Sequence, residues 1–213
     1  MKQELTEIIF ILDRSGSMAG LQQDTIGGYN NFLHTQRQVP GEAKVTTILF
    51  DDKYEVLHNG LDINKIRPIT NREYFARGST ALLDAVGKTI NDVGARFSNT
   101  DENDRPEKVI VVITTDGMEN ASREFTYERI SQMITHQQEK YNWEFLFLGA
   151  NIDAAKEAAS LGIRDGRSSN YEASAGGTAA LFNVLSNSIA SYRFAGKIEK
   201  DWQKDIDKTS KKT

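Results

Sequence analysis

No cysteine occurs among the 213 residues, which excludes disulfides, thiolate metal sites and cysteine nucleophiles and lends no support to an oxidising compartment. Only three prolines are present, leaving little room for a Pro-rich linker, and no internal repeat is visible. The three histidines, His34, His58 and His136, are scattered, so each reads as an ordinary surface or core residue. Neither sign of charge dominates: 26 basic and 30 acidic residues leave a net charge of -4, and the main body carries no basic patch of the kind nucleic acid requires. No apolar run is long enough to span a bilayer, so no membrane association is expected. Polar Met1 to Glu7 leads into the apolar run Ile8 to Leu12, which is too short for the core of a signal peptide; a cytoplasmic protein is the default expectation. Phosphate-cradling patterns of the form GxxxxGK[ST] or GxGxxG are absent, and nucleotide binding has no motif behind it.

What is there is an alternation of short apolar runs and longer segments of helical period. Ile8 to Leu12, Val109 to Ile113 and Phe145 to Leu148 are continuously apolar, as strands buried on both faces of a parallel sheet are. Leu83, Val86, Ile90, Val93 and Phe97 follow helical spacing, as do Phe182, Leu185, Ile189 and Tyr192, with a weaker stripe at Leu21, Tyr29, Phe32 and Leu33. Val45 to Phe50, Asp51-Asp52-Lys53 and Tyr54 to Leu57 read as a hairpin, which makes one strand an antiparallel edge. The expectation is an α/β fold: a doubly wound, mostly parallel sheet with one antiparallel edge strand and helices on both faces. One domain is expected over residues 1–196, followed by a charged tail over 197–213, helical or disordered, outside the compact body.

In open α/β sheets ligands gather beyond the carboxyl ends of the strands. Past Leu12 comes Asp13-Arg14-Ser15-Gly16-Ser17-Met18; past Ile113 comes Thr114-Thr115-Asp116-Gly117; before the strongest helical stripe comes Gly78-Ser79-Thr80. Three loops thus bring two carboxylates and three hydroxyls to one rim. Magnesium is a hard ion that wants oxygen ligands in an octahedron and keeps several waters, and two carboxylates balance its charge. If both carboxylates act through water while Ser15, Ser17 and Thr80 coordinate directly, the inner shell holds no anion, and the ion favours a carboxylate from outside. Glycines beside the ligands, Gly16, Gly78 and Gly117, let the backbone turn around the ion.

The run Asp13-Arg14-Ser15-Gly16-Ser17-Met18, with Thr80 inside Gly78-Ser79-Thr80-Ala81-Leu82 and Asp116 inside Thr115-Asp116-Gly117, resembles the von Willebrand factor A domain and its metal-ion-dependent adhesion site. The resemblance runs from Glu7 to Tyr192 and, given the absence of an export signal, points to intracellular bacterial or phage stand-alone members. It implies a Rossmann-like sheet, Ser15, Ser17 and Thr80 as direct ligands of Mg2+ (or Mn2+), and Asp13 and Asp116 acting mainly through water. It also implies a protein partner offering an Asp or Glu carboxylate; by analogy that partner is a chaperone-like ATPase or a stress-response assembly.

Blander readings stand beside each part. Alone, Ser15-Gly16-Ser17 is a helix cap and Asp116-Gly117 a turn; their convergence with Thr80 at one rim is what argues for a metal. Arg77 reads as a solvated loop arginine or as a contact for a partner's acidic side chain. Asn151 and Asp153 read as caps of the next helix, and Gly176-Gly177 before Thr178 as a helix start. The acidic stretch Asp101, Asn103, Asp104 fails as a calcium loop, because Arg105 takes the fifth position and no glycine the sixth. A metal-dependent hydrolase or phosphatase is the competing class. Phosphatases of the haloacid dehalogenase type carry a second Asp two residues after the first, however, where this chain has Ser15, and no G-x-S-x-G elbow makes Ser15 or Ser17 a nucleophile. No catalysis is therefore expected. A structural module, in which the metal only braces loops, is the remaining alternative.

Overall fold

A computed structural model describes residues 1–204 and 206. Its strands are β1 (Lys2–Asp13), β2 (Glu42–Phe50), β3 (Tyr54–Asp62), β4 (Pro106–Thr115), β5 (Glu144–Gly149) and β6 (Ser168–Asn170). They form one sheet in the order β3-β2-β1-β4-β5-β6. All neighbours run parallel except β2 and β3, whose antiparallel pairing puts the hairpin at the sheet edge.

The alternation of side chains along each strand explains the continuous apolar runs. Ile8, Phe10 and Leu12 of β1 point into a core covered by α1 (Gln22–Arg37) and α5 (Ala175–Ala195). Ile9 and Ile11 point the other way, into a core closed by α2 (Leu82–Ser98), α3 (Tyr127–Lys140) and α4 (Ala154–Ser160). With both faces covered, Ile8 to Leu12 of β1 have no side turned to water, so this stretch reads as an unbroken hydrophobic run. Glu7 shows how an exception is managed. It is fully buried, and its carboxylate accepts hydrogen bonds from Thr46 Oγ1 at 2.6 Å and Arg96 Nη2 at 2.8 Å.

Connectivity places the site. The chain leaves β1 outward to β2 and β3, then returns through α2 to β4 on the opposite side of β1. The sheet order therefore reverses between β1 and β4, and loops leaving their carboxyl ends diverge to opposite faces and open a crevice. Asp13 closes β1, Asp116 follows β4, and Thr80 lies just before α2, the return crossover. The anticipated doubly wound sheet with an antiparallel edge is the one observed.

Elements absent from the sequence reading are those with little apolar signal. β6 is Ser-Ser-Asn and is defined by its parallel register with β5, Phe147 to Gly149. α3 buries only Ile130, Met133, Ile134 and Gln138, too thin a stripe to stand out, although Thr126 caps its first turn. β3 continues to Asp62, five residues past the expected end, because an exposed edge strand needs no apolar alternation.

The charged segment placed outside the domain also differs. Ile198, Trp202 and Ile206 are buried in the α1–α5 core, and Trp202 Nε1 donates to Gly166 O at 2.8 Å. Three apolar residues spaced at four along a run of Lys and Asp make one covering stripe, which overall charge density masks. The remainder of that tail, 205 and 207–213, lies outside the described residues.

Candidate metal centre

The loop after β1 turns at once into a tight helical turn, Gly16–Leu21, that feeds α1. Ser15 occupies its cap position, yet its side chain makes no capping hydrogen bond. Its hydroxyl instead lies 3.1 Å from Ser17 Oγ. The capping explanation for this serine pair fails, and the hydroxyls face the crevice.

Four of the five anticipated residues are linked directly. Asp13 Oδ1 accepts the Ser15 amide at 2.6 Å, and Asp13 Oδ2 accepts the Thr115 hydroxyl at 2.6 Å. The hydroxyl of Ser17 donates to Asp116 Oδ1 at 2.5 Å. Thr80 reaches the group across Gly117: a Cβ placed on that glycine would stand 3.3 Å from Thr80 Oγ1 and 3.6 Å from Ser17 Oγ. Hydroxyls from two separate loops therefore converge on a space that only a glycine leaves open.

Thr80 is held by its backbone. Its amide donates to Asn120 Oδ1 at 3.0 Å, and its carbonyl accepts the amides of Asn120 at 3.0 Å and Ala121 at 3.2 Å. Gly16 N–H donates to Gly78 O at 3.1 Å, joining the first loop to the second. Of the three glycines expected to turn the backbone, Gly78 alone has a positive φ, +67°; Gly16 and Gly117 matter for close approach.

Electrostatics define what the crevice lacks. Asp13 is fully buried and Asp116 is 6% exposed. Burial pushes the Asp13 carboxyl up to about 6, against the pull of its hydrogen bonds from Thr115 and Ser15, and the Asp116 charge adds to the rise. Burial likewise raises Asp116, opposed by the Ser17 hydroxyl. The nearest cation in sequence, Arg14, is turned away. Its fully buried guanidinium bonds to Asp51 Oδ2 at 3.0 Å and Glu55 Oε2 at 2.7 Å. Two sheltered carboxylates thus share one crevice, and among the described residues no side-chain cation pairs with either.

This donor set fits a hard divalent cation. Two carboxylates match its charge, and three neutral hydroxyl oxygens supply positions that cost no further charge repulsion. Among the described residues no cluster of three or more His, Cys, Asp or Glu exists, so a softer nitrogen or sulfur site has no candidate.

Several residues that shape the site carry no signal in sequence alone. Tyr74 is buried and donates its hydroxyl to Asp13 O at 2.5 Å, fixing the end of β1 from behind. Asp84 in the first turn of α2 accepts the amides of Arg123, Glu124 and Phe125 at 2.9, 2.9 and 3.0 Å, while Glu119 Oε2 accepts the Leu83 amide at 2.9 Å. This reciprocal clasp ties the Asp116 loop to α2, the helix that begins just after Thr80. Arg77 is neither free nor aimed outward: its Nε bonds to Asp51 Oδ2 at 2.7 Å, and its guanidinium lies 5.0 Å from the Phe75 ring centroid. Asp153 caps α4 through the Lys156 amide, as expected, and Asn151 takes a left-handed φ of 56° beside it.

No protein-family model and no curated protein matches the sequence. Solved structures do match in fold. Proximal thread matrix protein 1 from the mussel byssus, in a form whose MIDAS motif is occupied by zinc, aligns over 87% of this chain at 15% identity and a TM-score of 0.60. Manganese-loaded TRAP protein of Plasmodium vivax aligns over 81% at 16% identity and 0.56. The vWF domain of the type V pili tip protein Mfa5 from Porphyromonas gingivalis aligns over 91% at 10% identity and 0.61. The chain spans 46% of the mussel protein, 70% of the Plasmodium chain and 98% of the Mfa5 domain. At such identities the likeness establishes the fold.

Proposed function

We propose that this chain, whose fold is that of the von Willebrand factor A domain, is a metal-dependent protein-binding module. Mg2+, or Mn2+ in its place, sits in the crevice between β1 and β4 and accepts a carboxylate from an Asp or Glu of a partner protein. Ser15, Ser17 and Thr80 supply hydroxyl oxygens directly, and Asp13 and Asp116 act mainly through water. The observation that carries this reading is a pair of sheltered carboxylates that no cation pairs with among the described residues, facing three convergent hydroxyls. With no anion in its first shell the ion stays electrophilic, and an outside carboxylate is the ligand that best offsets its charge.

The competing readings have less support. A hydrolase needs a free nucleophile or base beside the metal. Ser15 stands where a second Asp would serve as acid and base, and no G-x-S-x-G elbow makes Ser15 or Ser17 a nucleophile. A purely bracing metal is redundant where protein hydrogen bonds already join all three loops, as Gly16 to Gly78 and Asn120 to Thr80 do. By analogy with the resemblance stated above, a chaperone-like ATPase or stress-response assembly is the partner class to look for.

Partner capture tests the reading. A pull-down with the full chain in Mg2+ should release specific proteins on EDTA, and Asp13→Ala and Thr80→Ala should each abolish their recovery. Capture that survives both chelation and Asp13→Ala would overturn it.

A further inference from the structure

β6 runs parallel to β5, and β5 to β4, so all three end at the rim that carries the site. Thr115 of β4, Gly149 of β5 and Asn170 of β6 lie in one row across the sheet. The ladder continues one residue further: the Ala150 amide donates to Thr115 O at 2.9 Å, and the Tyr171 amide to Gly149 O at 3.0 Å. The next row is therefore Asp116, Ala150 and Tyr171. Two strand spacings put Tyr171 about 10 Å from Asp116, a gap that a tyrosine side chain and one water can bridge if the residue between them is small. That residue is alanine. Ala150 and Tyr171 both point into the core under α1 and α5. Asp116 turns to the same side, where Ser17, in the turn before α1, donates to it.

The Tyr171 hydroxyl is the odd one among the buried tyrosines. Tyr29 is bonded to Thr47 Oγ1 at 2.6 Å, Tyr74 to Asp13 O at 2.5 Å and Tyr192 to Val109 O at 3.1 Å. Tyr171 is only 4% exposed, yet its hydroxyl has no hydrogen-bond partner among the described residues. Nor is its oxygen one of the partnerless atoms sealed from solvent. A buried hydroxyl left open in this way calls for a ligand or a water. Burial raises the phenol above its ordinary value, and the charges of Asp116 and then Asp13 add to the rise, so both site carboxylates act on it.

We infer that Tyr171 is a positioning residue of the metal centre: its hydroxyl oxygen accepts a hydrogen bond from the water that joins the cation to Asp116, and holds that water in place. The inference rests on the metal-dependent reading above and deepens it. A water bound to a cation gives the metal a lone pair and has two protons to place. Asp116 accepts one and Tyr171 the other, which leaves the water a single orientation. The phenol is neutral, so it adds no anion around the ion and preserves its pull on a partner's carboxylate. Outer partners of this kind commonly set metal affinity by about ten- to hundredfold.

The test uses the full chain with Mn2+ as the probe. Tyr171→Phe keeps the ring and removes only the hydroxyl. Mn2+ affinity by calorimetry should fall at least about tenfold. Exchange of the water on bound Mn2+, read from the relaxation of bulk water protons, should quicken. Urea unfolding without metal should keep its wild-type midpoint, because no protein hydrogen bond is lost. Unchanged affinity, unchanged water exchange, or an affinity loss matched by a loss of metal-free stability overturns the assignment and leaves the metal reading standing. A wild-type chain that takes up no Mn2+, or Asp13→Ala that binds it undiminished, overturns both.

Discussion

The hydroxyl of Ser17 donates to Asp116 Oδ1 at 2.5 Å, joining loops that lie 99 residues apart in the chain. That contact fixes how the two carboxylate loops approach each other, and it uses only the proton of the Ser17 hydroxyl, leaving the oxygen lone pairs free for the cation proposed for the crevice.

The first prediction concerns acid. An ordinary Asp titrates near 3.8, whereas folding raises Asp13 to about 6 through burial, partly offset by hydrogen bonds from Thr115 and Ser15. Without metal the raised value is a cost: it is absent below pH 3.8, grows as pH rises towards 6, and is full above it. With metal the sign reverses, because protonation of Asp13 competes with the cation. The thermal shift produced by Mn2+ should thus be large at pH 7.5 and fade below pH 6, as differential scanning fluorimetry can measure. A shift independent of pH from 5 to 7.5 would count against Asp13 as part of the site.

A second prediction follows from removing that charge. Asp13→Asn should raise the stability of the metal-free protein at pH 7.5 by about 1–2 kcal/mol, since the buried anion is gone while one oxygen remains to accept a hydrogen bond. The same variant should lose the Mn2+-induced shift. Urea unfolding with and without Mn2+ separates the two effects; equal destabilisation in both conditions contradicts the assignment.

Gly117→Ala gives a third. The added methyl would sit 3.3 Å from Thr80 Oγ1 and 3.6 Å from Ser17 Oγ, in the space between hydroxyls that the cation needs. Stability without metal should change by no more than about 1 kcal/mol, since Gly117 has no left-handed φ and a 3.3 Å contact asks its neighbour to give by only a few tenths of an ångström, but Mn2+ affinity should fall at least about tenfold by calorimetry. Unaltered affinity would place the ion elsewhere.

Most of this protein was legible in one dimension. Continuous runs such as Ile8 to Leu12 specify strands covered on both faces, because a period-2 element with no polar position has no face to leave in water. The helical stripe at Leu83, Val86, Ile90 and Val93 located α2 for the matching reason, and the residue types in Asp13-x-Ser15-x-Ser17 suggested the hard cation proposed for the crevice. Tertiary structure decided what depends on neighbours distant in sequence. The sequence marks Arg14 as a charged residue inside the motif; only folding buries it against Asp51 and Glu55, away from Asp13 and Asp116. β6 and the buried stripe Ile198, Trp202 and Ile206 exist because adjacent surfaces were there to pair with and to cover. Periodicity records which side of an element meets the core, whereas the partner of a buried charge is set by the crossing of loops that no local pattern encodes.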